Sequence, residues 1–85
     1  MRAQQSTASF VLCVEDGGSD DLEPRKLYQV LPDRDAVREG YIRVVDESGE
    51  DYVYPSALFV PLRLPPAVVR RLTRAVRARA GTARG

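Results

Sequence analysis

Tyr41-Ile42-Arg43-Val44-Val45-Asp46-Glu47-Ser48-Gly49-Glu50-Asp51-Tyr52-Val53-Tyr54 is the stretch on which the fold turns. Two β-branched and aromatic runs flank a short polar segment that contains a single glycine. That pattern predicts a β-hairpin. Gly49 is the residue expected at a positive φ, where a side chain would be strained. Side chains alternate across a pleat, so Ile42 and Val44 share the inward face and Arg43 points out. On the return strand the alternation leaves two choices, with either Val53 or the Tyr52/Tyr54 pair facing in.

The rest of the body extends in both directions from this hairpin. Pro55-Ser56-Ala57-Leu58 reads as a turn or one turn of 3₁₀ helix, and Phe59-Val60-Pro61-Leu62 as a last short strand. Upstream, Phe10-Val11-Leu12-Cys13-Val14 is a continuous apolar run, which predicts a strand buried on both faces. Leu27-Tyr28-Gln29-Val30-Leu31 is a second strand. Between them Glu15 to Glu23 forms an acidic loop that turns early at Gly17-Gly18 and ends at Pro24. Asp33 to Glu39 fits one helical turn or an ordered loop, with Gly40 placed as a left-handed stop. Residues 1–8 are polar and expected to be disordered. Five short strands within residues 9–62 predict an all-β fold, a small and strongly bent five-stranded barrel.

After Pro65-Pro66 the period changes from strand to helix. Val68, Val69, Leu72, Ala75 and Val76 fall at helical spacing, with arginines mainly on the other faces. Pro66 suits the first turn and Gly81 the stop, which gives about 14 residues and about 21 Å of helix. A helix of that length is marginal alone in water, so its apolar stripe needs a partner. Residues 63–85 are therefore expected to be an amphipathic basic helix or a flexible tail.

Charge divides at the same seam. Residues 1–62 hold six cations against all twelve carboxylates, a net −6, whereas residues 63–85 hold seven arginines and no acid, a net +7. An acidic body with a basic tail suggests an interaction module. The Arg, Ala, Val and Gly vocabulary of the tail is also what a GC-rich genome supplies through codon bias.

Composition narrows the chemistry. The chain has no His, which removes histidine bases and triads, and with one Cys it has no spacing for zinc. Cys13 sits in a dense apolar run, where a buried inert thiol is expected rather than a nucleophile. The acidic clusters lack the calcium-loop spacing, and a core of this size offers little cleft for a carboxylate pair. No glycine loop is built to hold phosphate. No catalytic residue, metal ligand, cofactor or small-molecule substrate is expected. With one cysteine and no apolar run of membrane-span or signal-peptide length, the expected location is the cytoplasm.

The layout resembles a Src-homology-3 (SH3) domain over roughly residues 9–62. Asp20-Asp21-Leu22-Glu23 followed by Leu27-Tyr28-Gln29-Val30-Leu31 is similar to that family's acidic first loop and the strand after it. Gly49 to Val60 is similar to its distal hairpin, its Pro-Ser-containing 3₁₀ turn and its last strand, with one residue more after the Ser. The resemblance implies an SH3-like barrel and a protein-binding role. The tryptophan that floors the family's proline-peptide groove is missing, Tyr41 stands near its place, and the first strand lacks the aromatic motif. These departures speak against proline-peptide binding of the eukaryotic type. Asp46 to Tyr52 also resembles small uncharacterised bacterial proteins, a likeness that implies no activity.

Two contact surfaces follow from these readings. The first is a protein-binding face of Asp20, Asp21, Glu23, Tyr41, Tyr52, Tyr54 and Pro55, with a protein partner or a second copy of the chain as its occupant. The second is a phosphate-binding helix carrying Arg70, Arg71, Arg74 and Arg77, for which nucleic acid is the candidate ligand. A membrane is disfavoured, since the helix has no aromatic on a weak apolar face.

Overall fold

The computed structural model describes residues 9–83, of which 77–83 as backbone alone. The segment expected to be disordered, residues 1–8, lies outside the described residues. Five strands run in the order predicted: β1 (Phe10–Cys13), β2 (Leu27–Leu31), β3 (Tyr41–Val45), β4 (Asp51–Pro55) and β5 (Phe59–Leu62). A short helix α1 (Arg34–Arg38) follows β2, a 3₁₀ turn (Ser56–Leu58) joins β4 to β5, and helix α2 (Pro66–Ala83) ends the described chain.

The strands form one antiparallel sheet in the spatial order β4-β3-β2-β1-β5. β2 is shared along its length, because Leu27–Gln29 pair with β1 while Val30 and Leu31 pair with Val44 and Arg43 of β3. The sheet is not closed into the barrel expected from sequence. Among the described residues no ladder joins the two outer strands β4 and β5. These strands are only five and four residues long, β4 ends at Pro55, and Pro61 of β5 has no N–H to give to a further partner.

The hairpin reading holds in detail. Ile42 pairs with Tyr54 and Val44 with Tyr52, and Gly49 sits at φ +88°. Val44 is fully buried and Tyr54 packs against the same core, so Tyr54 turns inward, while Tyr52 on the same pleat face and Val53 on the other are both exposed. The core comprises Val11, Cys13, Leu22, Tyr28, Val44 and Phe59. Tyr54 and Phe59 meet edge to face with ring centroids 6.3 Å apart, one of the favoured aromatic geometries. β1 is buried on both faces as expected: Val11 and Cys13 lie in this core, and Phe10, of opposite pleat parity, is only 2% exposed.

Asp33 to Glu39 proves to be helical. The Asp33 carboxylate accepts a hydrogen bond from the Ala36 N–H at 3.0 Å, and Gly40 follows at φ +86°, the cap and stop that these residue types favour. One feature had no sequence signal. Arg25 lies at φ +72°, its N–H donates to the Cys13 carbonyl, and the Cys13 N–H donates to the Lys26 carbonyl. Two residues thus oppose one, a bulge of the kind normally built with glycine.

α2 begins where Pro66 predicted, with the Pro65 carbonyl accepting from the N–H groups of Val68 and Val69. It passes the expected stop at Gly81 and reaches Ala83, giving 18 residues and about 27 Å. Its half-buried stripe is Val69, Leu72, Thr73 and Val76, whereas Val68 and Ala75, expected on the stripe, are exposed. The contact is an i, i+3, i+4, i+7 line, with Thr73 lying inside the buried arc. Val76 lines a cavity of about 160 Å³ with Leu27, Tyr28 and Gln29 of β2 and Val45 of β3, so the stripe meets the sheet at this end.

Candidate functional site

The acidic loop between β1 and β2 is held from inside. Leu22, flanked by acids in sequence, is only 3% exposed and belongs to the core. Tyr28 reaches the loop from below. Its hydroxyl accepts from the Glu23 N–H at 2.8 Å and donates to the Glu47 carboxylate at 2.6 Å. Glu47 also meets the Lys26 ammonium at 2.8 Å, and its own N–H donates to the Asp21 carbonyl at 2.9 Å. The loop is thereby joined to the tip of the β3–β4 hairpin. At its start, Val14 donates to the Leu58 carbonyl, and Gly17 at φ +60° lies so close to Leu58 that an added Cβ would meet the Leu58 methyl at 2.9 Å.

The hairpin tip is organised around Asp46, a carboxylate only 5% exposed. It accepts from the Ser48 N–H at 2.9 Å, from the Ser48 hydroxyl, and from the Tyr54 hydroxyl at 2.6 Å. A buried carboxylate needs such donors to offset its lost hydration. Burial pushes the Tyr28 hydroxyl well above the ordinary tyrosine range, and the bond to Glu47 adds to the shift. Tyr54 shifts upward for the same reasons, burial first and Asp46 second. Tyr52, whose hydroxyl donates to Glu50, also shifts upward, chiefly because of that bond.

The structure divides the proposed protein-binding residues. Asp20, Asp21 and Glu23 lie on the pinned loop, with Asp20 and Glu23 exposed and Asp21 half-buried. Tyr52 and Tyr54 lie on the facing hairpin strand, close enough to Asp21 for its charge to bear on both hydroxyls. Tyr52 is 49% exposed, while Tyr54 is half-buried with its hydroxyl engaged. Tyr41 and Pro55 belong elsewhere. They are register partners on the opposite pleat face, and Tyr41 lines a shallow groove beside α1 with Asp33, Arg43 and Val53. In that groove Arg43 bridges Asp33 at 2.8 Å and Asp51 at 3.0 Å. The Asp33 carboxyl is held below the usual range, first by the Ala36 N–H and then by Arg43.

On α2, Arg70, Arg71 and Arg74 are exposed. The side chain of Arg77 lies outside the described residues. Cys13 is fully buried, its thiol donates to the Glu15 carbonyl at 3.1 Å, and burial pushes the thiol up, away from the reactive thiolate. Among the described residues no group of three or more Cys, Asp or Glu is placed to hold a metal ion. No described helix is long and apolar enough to cross a membrane. No family model, no curated protein and no solved structure matches the chain.

The sequence reading missed two members of this site, Leu22 and Glu47. The signal for Leu22 was an apolar residue isolated in an acidic run. Glu47 stood among similar acids with nothing to set it apart.

Proposed function

We propose that the chain is a non-enzymatic, SH3-like interaction module whose contact surface is the acidic loop together with the outer part of the hairpin. The order of elements supports the fold reading: an acidic loop between the first two strands, a distal hairpin, and a 3₁₀ turn into a short last strand. One observation carries the functional reading. The loop is fixed by the hydrogen bonds of Tyr28 and Glu47 and by the burial of Leu22, with Asp20 and Glu23 in solvent and the charge of Asp21 between them bearing on the half-exposed Tyr52. A flexible acidic loop would lose ordering entropy on binding, and this one is ordered beforehand.

An aromatic ring near free carboxylates favours a basic segment of a protein partner. A guanidinium stacks on the ring while its N–H groups reach the carboxylates. Titration of the isotopically labelled chain with arginine-containing extended peptides, followed by NMR, tests this. Amide shifts are expected at Asp20 to Glu23 and at Glu50 to Tyr54. Shifts confined to α1, Tyr41 and Arg43 would count against the surface named here.

A further inference from the structure

We propose that the solvent face of α2, carried by Arg70, Arg71 and Arg74, binds the phosphate backbone of nucleic acid. The apolar side of the helix is partly covered. Val69, Leu72, Thr73 and Val76 are half-buried, and Val76 lines a cavity with β2 and β3. At 100° per residue, Arg71 and Arg74 fall opposite that stripe and Arg70 falls on its flank. All three are exposed, and among the described side chains none of them forms an ion pair. No carboxylate interrupts the stretch, because residues 63–85 contain seven arginines and no Asp or Glu.

Three occupants suit a row of guanidinium groups, and physics separates them. An anionic membrane needs an apolar face to insert, yet the stripe of α2 is already half-buried and the helix carries no aromatic. The acidic loops of a second copy would offer solvated carboxylates, and exposed ion pairs of that kind contribute little. Nucleic acid offers closely spaced phosphates with condensed counterions, whose release drives binding even to a few cations. Guanidinium matches phosphate in a two-pronged geometry that an ammonium lacks. The arginines stand on a helix that is already formed, so little backbone ordering opposes binding. The body is acidic, but its carboxylates lie on loops and on the other elements, never on α2.

Fluorescence anisotropy of the full chain with a labelled DNA duplex of roughly 20 base pairs, and with a single-stranded RNA of similar length, tests the proposal. Three phosphate contacts predict a duplex affinity that falls about 40-fold between about 50 and about 200 mM salt, a log–log slope of about −2.7 or steeper. The R70A/R71A/R74A variant is expected to lose at least about tenfold in affinity at the lower salt and most of the slope. Alanine favours helix at exposed sites, so this variant keeps its circular dichroism. R70K/R71K/R74K retains the slope. If the alanine variant unfolds, the slope of the parent chain and of the lysine variant still decides. The proposal is overturned if the parent binds neither nucleic acid at the lower salt, or if the alanine variant binds as well as the parent. It is equally overturned if phosphatidylserine vesicles bind while both nucleic acids do not, or if the arginines alter only self-association in sedimentation.

Discussion

Tyr28 and Glu47, 19 residues apart in the chain, share a hydrogen bond of 2.6 Å that joins the acidic loop to the hairpin tip. Tyr28 is 4% exposed, so replacing it with Phe leaves the Glu23 N–H and one bond of Glu47 without their partner. We expect Tyr28→Phe to cost about 1–3 kcal/mol in urea unfolding and to speed amide exchange at Glu23. Unchanged stability and exchange would show that this bond does not pin the loop.

The same tyrosines set the alkaline limit. Their hydroxyls titrate higher in the folded state than in the unfolded chain, and the buried Cys13 thiol shifts the same way. The folded state therefore favours their neutral forms. That stability is fully present below the ordinary thiol and tyrosine values, about 8.5 and about 10, and is lost as pH rises through and beyond them. Melting temperature is expected to be flat at neutral pH and to fall from about pH 9 upward, less steeply in Tyr28→Phe.

Gly17 and Gly18 make an internal control. Both lie at positive φ, but an added Cβ meets Leu58 at Gly17 and open space at Gly18. Gly18→Ala is expected to cost about 1–2 kcal/mol for the left-handed backbone. Gly17→Ala must in addition displace the Leu58 side chain, so it is expected to shift the Leu58 methyl resonances while Gly18→Ala leaves them in place. Unshifted Leu58 methyls in Gly17→Ala would show that the loop does not approach the 3₁₀ turn as described.

Arg25 carries backbone strain at φ +72° in the bulge opposite Cys13. Arg25→Gly is expected to leave stability unchanged or raise it slightly, since relief of the strain is offset by a more flexible unfolded chain. Arg25→Val should destabilise by more than about 1 kcal/mol, because a β-branched residue resists that φ. The urea midpoint at constant slope is the readout, and a glycine variant less stable than the valine one would contradict the bulge.

Cys13 should react with iodoacetamide only through opening of the fold. Its alkylation is expected to run at least about a hundredfold slower than in the urea-unfolded chain. Labelling at the free-thiol rate would contradict its burial.

Much of the fold was legible because its signals were local. Gly49 between two β-branched runs marked the hairpin, Pro66 marked the start of α2, and the apolar run at Phe10 marked a strand buried on both faces. Ambiguity lay where tertiary packing decides. Tyr54 turned inward because its hydroxyl reaches the buried Asp46, which alternation alone does not reveal. The open sheet, the bulge at Arg25 and the half-burial of Thr73 rather than Ala75 on α2 also depend on contacts between distant segments. The candidate site was half legible. Its acidic loop was plain in the charge pattern, but Tyr41 and Pro55 fell on the other pleat face, and the Tyr28–Glu47 link had no sequence mark.

The proposed contact of a protein partner with the acidic loop and Tyr52 is open to test. A photo-crosslinking residue placed at position 52, and in a separate chain at position 41, tests it most directly in extract from the native host. A specific protein adduct is expected from position 52 that disappears when Asp20, Asp21 and Glu23 are changed to Asn, Asn and Gln. No such adduct is expected from position 41. An adduct from position 41 alone, or one at position 52 that survives neutralisation of the loop, would contradict it.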